Sequence, residues 1–134
     1  MVYGVDTFEE AASKVGAYLD AEVDSSVGKC VVKRPRRFKI LDHGKVRNCT
    51  GDFEISFSAY QKNGAALNKA EICLMPEEYS LFIQTLMQHE IPLPTQYTQR
   101  LTTDLNIYCL KFESYEPPEH FAERLAAALK VIDR

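Results

Sequence analysis

The run Lys33-Arg34-Pro35-Arg36-Arg37-Phe38-Lys39 puts five basic side chains within seven residues, a density that attracts phosphate or nucleic acid through steering and counterion release. Lys33, Arg34, Arg36 and Arg37 are therefore candidate anion-binding residues. Two blander roles compete with this one: Lys and Arg on an extended surface segment block edge pairing, and the acidic flanks can neutralise the run within the molecule. The formal charge of −3 hides the asymmetry, since residues 1–24 sum to −5, residues 25–50 to +7 and residues 51–134 to −5. A small anion is the partner this balance favours, and nucleic acid is not expected.

The other residue types able to do chemistry are dispersed. His43 stands beside Asp42 and Gly44 in a turn, His89 falls at the end of a helix where an imidazolium can meet unpaired carbonyls, and His120 opens another helix. No metal set follows from positions so far apart, and no cofactor is expected. Cys30, Cys49, Cys73 and Cys109 show neither a CxxC pair nor metal-ligand spacing, and Cys73 and Cys109 fall inside strands, where a free thiol packs as a small apolar group. Buried free thiols are the expectation. Asn48-Cys49-Thr50 matches a glycosylation acceptor, without consequence in a cytosolic chain.

These residues must be positioned by elements whose pattern is legible. The junction at 70–87 turns strand alternation (Ala70 to Met75) into helical periodicity, with Pro76 suited to a first helical turn, Glu77 and Glu78 at the positive end of the dipole, and Tyr79, Phe82, Ile83 and Leu86 as the inward stripe. Before it, Thr7-Phe8-Glu9-Glu10 has a capping-box arrangement leading a helix whose stripe is Phe8, Ala11, Ala12, Val15 and Leu19. Residues 27–39 read as a strand entering a bend at Pro35, residues 41–51 as a loop, and residues 52–59 as a half-buried strand alternating Phe53, Ile55 and Phe57 with Glu54, Ser56 and Ser58. Asn63-Gly64 marks a reversal that brings this strand beside the next.

After the central helix, Pro92 and Pro94 confine residues 91–94 to an edge or linker, Thr102-Thr103-Asp104 reverses the chain, and residues 105–115 form a strand with Tyr108, Leu110 and Phe112 on one side and Cys109, Lys111, Glu113 and Tyr115 on the other. A final helix follows Pro117-Pro118, with Phe121, Leu125, Ala128, Leu129 and Ile132 at helical spacing. The order strand, helix, strand, strand, helix predicts one α+β domain over residues 1–134, a mainly antiparallel sheet with the central and last helices on one face. At 134 residues and 46% hydrophobic the chain can bury a core without staples. Its apolar runs fall well short of the roughly 18 residues of a spanning helix, and the N-terminus lacks the pattern of a signal peptide. A cytoplasmic protein with no membrane partner is the expectation.

The segment 71–132, with its acidic helix start Pro76-Glu77-Glu78, Ile91 closing the helix and the ending Leu125-Ala126-Ala127-Ala128-Leu129, resembles the LppY/LpqO-type bacterial proteins, and the Lys33-Arg34-Pro35-Arg36 region does so faintly. The resemblance implies a compact α+β domain and carries no reaction, because that family has no assigned activity. Where its members commonly have a His-Asn-His run this chain reads Tyr97-Thr98-Gln99, and where a further histidine is common it has Lys111. Gln is a poor ligand and lysine is normally protonated, so a metal-dependent activity is less expected here than in the relatives. Tyr97, Gln99 and Lys111 are then expected to offer a ring, an amide and a cation on an open sheet face, a surface for a small anionic or aromatic ligand. A non-catalytic binding module is the leading reading. A hydrolase-type enzyme, with or without metal, and an interaction module that forms a homodimer through the open face are the alternatives.

Overall fold

Alternating apolar residues pack one side of a sheet against three amphipathic helices, and the fold follows from that single requirement. The structure, a computed structural model, describes residues 5–104 and 107–132. In chain order the elements are α1 (Val5–Leu19), β1 (Val23–Ser26), β2 (Lys29–Asp42), β3 (Lys45–Ser58), β4 (Ala66–Leu74), α2 (Pro76–Met87), β5 (Tyr97–Asp104), β6 (Ile107–Glu116) and α3 (Pro118–Ile132). The six strands form one antiparallel sheet in the order β1-β2-β3-β4-β6-β5. This is the α+β architecture expected, with α1 joining the other two helices on the covered side.

Val32, Phe53, Ile55, Phe57, Ala70, Ile72, Leu74, Leu110 and Phe112 are buried on that side against Val15 and Leu19 of α1, Phe82 and Leu86 of α2, and Phe121, Leu125, Ala128 and Leu129 of α3. Side chains alternate between the faces of a strand, so one strand register fixes the sidedness of all the others. Gly16 lets α1 approach β1: a Cβ there would stand 2.5 Å from Val23 Cγ2 and 3.1 Å from the carbonyl of Ala21.

Several local outcomes differ from the sequence expectations: Thr7 lies inside α1 and does not cap it, Pro35 pairs with Asp52 within an unbroken β2, and Thr102, Thr103 and Asp104 belong to β5 and do not reverse the chain. Residues 41–51 are not a loop, because β2 and β3 pair continuously from Lys29↔Ser58 to Asp42↔Lys45. The reversal is only His43-Gly44, with φ of 50° and 76°, both in the left-handed region a tight two-residue turn needs. A short extra strand, β1, pairs with β2 through a turn at Val27-Gly28. Finally, Cys73 and Cys109 are not free thiols. They stand directly opposite in the β4–β6 ladder, Cα atoms 4.2 Å apart, and are joined as a disulfide. Among the described residues Cys30 is a buried free thiol, and burial, with help from the Asp24 charge, pushes it up to about 11.

Candidate functional site

The anticipated trio on the open face is not brought together. Tyr97 pairs with Ser114 and Gln99 with Phe112, so both share the helix-covered side, whereas Lys111 pairs with Arg100 on the opposite side. Strand periodicity separates them, because positions 97 and 99 have even-numbered partners on β6 and Lys111 is odd. The Tyr97 hydroxyl donates to Gln99 Oε1 at 2.8 Å, and its ring lies 6.3 Å from that of Phe112. Burial raises its titration above the ordinary tyrosine range; the Arg124 guanidinium opposes that rise and the Glu116 carboxylate adds to it. Tyr97 therefore borders a buried polar cluster, in which Arg124 pairs with Glu116, Ser114 Oγ donates to Glu116 Oε2 at 2.7 Å, and Asn68 Nδ2 donates to the Glu116 carbonyl at 2.9 Å.

Lys111 meets Glu71 at 3.6 Å on the open face, where Lys69 with Glu113 and Lys33 with Glu54 make similar pairs at 3.8 and 3.7 Å. That face carries solvated pairs of opposite charge.

The basic run is likewise divided by strand alternation. Arg36 points to the helix side, where it is 7% exposed, donates from Nη2 to Glu78 Oε2 at 2.8 Å and from Nη1 to the Cys73 carbonyl at 2.7 Å. Glu78 uses its other oxygen to accept the Met75 amide at 2.9 Å, closing a capping box at the start of α2. Arg36 is thus an internal fastener and is withdrawn from any anion site. Lys33 and Arg37 are exposed on the open side. Arg34 is half-buried on the helix side and donates to the Leu19 carbonyl at 3.3 Å.

Arg34 also lines a cleft of about 660 Å³ with Tyr18, Asp20, His89, Glu123, Ala126, Ala127, Leu129 and Lys130. Four elements build it: the end of α1, β2, the segment after α2, and the outward face of α3. Glu123 and Lys130, seven residues apart, lie two turns along one face of α3, and Ala126 and Ala127 between them leave the floor low. His89 does not cap α2 by donating to carbonyls, as its position suggested. Its Nδ1 instead accepts the Ile91 amide at 3.1 Å, so the neutral ring carries its proton on Nε2. Asp20 sits at φ 52°, a conformation unusual for a non-glycine residue, which terminates α1 beside the cleft.

Two clefts of similar size have plainer linings. One, of about 670 Å³, is formed by Phe8, Val27, Ala59, Tyr60 and neighbours, and another, of about 640 Å³, by Ile91, Pro92, Pro94, Tyr115 and His120 among others. Neither gathers two cations. The sequence missed Tyr18, Glu123 and Lys130 as site residues because their partners are distant in the chain. One signal was available: Tyr18 is an aromatic on the polar side of the α1 stripe, and it remains 43% exposed. Among the described residues no three His, Cys, Asp or Glu side chains are grouped to hold a metal.

No curated protein and no solved structure matches the chain. A family profile does match, over residues 13–131, and it takes in every residue lining the Arg34 cleft. The chain belongs to the family described as Domain of Unknown Function (DUF1259).

Proposed function

We propose that this domain is a non-catalytic binding module that seats a small anionic ligand, with room for an aromatic group, in the cleft between α1, β2 and α3. The observation that carries the reading is that cations from two distant elements, Arg34 and Lys130, line one cavity together with the Tyr18 ring and His89, beside the Asp20 and Glu123 carboxylates. A cavity of about 660 Å³ is in the usual range for a small-molecule site. The anionic or aromatic ligand expected from sequence is retained, and its place moves from the open face to the helix side. The finer likeness to LppY/LpqO-type proteins belongs to the same reading, supported by membership of a family that also carries no assigned activity. The Cys73–Cys109 disulfide favours an oxidising compartment rather than the cytosol.

Titration calorimetry with inorganic phosphate and with phenyl phosphate tests the site. Phenyl phosphate is expected to bind more tightly than phosphate, Lys130→Ala and His89→Ala each to weaken it at least about fivefold, and Lys111→Ala to leave it unchanged. Absence of binding, or dependence on Lys111 alone, overturns the reading. One observation favours the enzyme as second reading: His89 and Glu123 line the same cleft and could act as acid and base. Turnover of phenyl phosphate that disappears in His89→Ala would establish it.

A further inference from the structure

Beyond Arg36 the β2–β3 hairpin leaves the rest of the sheet. β1 pairs with β2 only as far as Val32, and β4 pairs with β3 only from Glu54 to Ser58. The six pairs from Arg37↔Thr50 to Asp42↔Lys45 therefore form a two-stranded arm about 20 Å long. Its root is fixed by the buried Arg36 and by Phe53, which is fully buried, and its tip is the tight turn at His43-Gly44. The arm is a ribbon of set direction, not a loop.

Its described exposed side chains include Arg37, Lys39 and Lys45, all cationic, and Val46, which is 64% exposed. The register places Arg37 and Lys39 on the same face as Val46 and Asn48, and Lys45, opposite Asp42, on the other face, since facing residues of an antiparallel pair share a side. Cations that only guard an edge explain the lysines but give no reason for an apolar side chain beside the tip. A second copy pairing its own arm here would bring like charges together, which disfavours self-association. We propose that this arm docks the protein on an anionic lipid surface, with Arg37 and Lys39 meeting headgroups and Val46 entering the interface. Apolar contact combined with cations is the chemistry of an interfacial anchor, and it requires no spanning helix, so the absence of long apolar runs does not bear on it. This inference is independent of the ligand cleft, which lies on the helix side.

Co-sedimentation of the full chain with vesicles of neutral phosphatidylcholine, and of the same lipid with roughly one-third phosphatidylserine, tests the proposal. Binding is expected only to the anionic vesicles and to fall with added salt. Arg37→Ala combined with Lys39→Ala should weaken it about thirtyfold, and Val46→Ser should weaken it further. Lys69→Ala, whose partner Glu113 lies on the main sheet, should change nothing. Equal binding to both vesicle types, no binding to either, or indifference to the arm variants overturns the proposal. Tighter binding to mixed-sequence duplex DNA that ignores Val46→Ser would also overturn it, and would assign the arm to nucleic acid.

Discussion

The two sides of the sheet hold ion pairs of opposite physical character. On the helix side Arg36–Glu78 and Arg124–Glu116 have every side chain less than 10% exposed, and each guanidinium also holds a backbone carbonyl, Cys73 for Arg36 and Pro92 for Arg124. On the open side three lysines meet carboxylates at 3.6–3.8 Å with all six side chains at least 40% exposed. Arginine suits the first setting because its fork satisfies a carboxylate and a carbonyl at once, and lysine suits the second as a hydrated point charge. The buried pairs join elements, β2 to α2 and β6 to α3, and so specify how the helices dock. The exposed pairs keep an uncovered face in water.

The contrast breaks most clearly at Arg124. Arg124→Ala strands the Glu116 carboxylate in a dry site and should cost about 3–5 kcal/mol by urea denaturation, while joint replacement by Arg124→Met and Glu116→Leu should recover much of the loss. Equal stability of the single and double variants would show that packing, not charge, dominates there. The disulfide gives the next effect. Cys73 and Cys109 lie on the open side with 36 residues of separation, so Cys73→Ser with Cys109→Ser should cost about 4 kcal/mol if the cross-link acts through the unfolded chain. A loss below about 1 kcal/mol would leave it a surface ornament of a sheet already held by its ladder.

Cys30 sharpens the comparison from the covered side. Its thiol is pushed from 9.0 to about 11, chiefly by burial, so the folded state holds the proton more tightly than the unfolded chain. Stability from this group is complete below about pH 9 and is lost as pH rises through about 11, amounting to roughly 2–3 kcal/mol. Denaturation at pH 8 through 11 should show a steeper decline in the native chain than in Cys30→Ala. Parallel slopes would remove the assignment.

Period-two alternation of Phe53, Ile55 and Phe57 and the Pro76-Glu77-Glu78 helix start are local signals, and the sheet, α2 and α3 were readable from them. Register is not local. The Cys73–Cys109 bond depends on pairing across 36 residues, and the placement of Tyr97 and Lys111 on opposite faces depends on one residue of offset in β5 against β6. The basic run showed the same limit, because alternation sends Arg36 to Glu78, 42 residues away, while its neighbour Arg37 stays in water. Of the candidate site, Arg34 and His89 were visible as residue types, and their meeting with Lys130 was not.

The smallest expected effect is at Lys111, and it tests the open side directly. Its ammonium meets Glu71 at 3.6 Å with the two side chains 64% and 57% exposed, so water and salt screen the attraction and ordering two long side chains opposes it. Glu71 also faces Glu54 across the β3–β4 ladder, and Glu54 meets Lys33, so the two carboxylates that oppose each other at the centre of the row each have a lysine on the outer side. Lys111→Ala should therefore cost less than about 1 kcal/mol, and the coupling from a double-mutant cycle with Glu71→Ala should fall toward zero at high salt. A coupling as large as that of Arg124 with Glu116, or one indifferent to salt, would mean that something covers this face in solution, since only exclusion of water could give an open-side pair the energetics of a buried one.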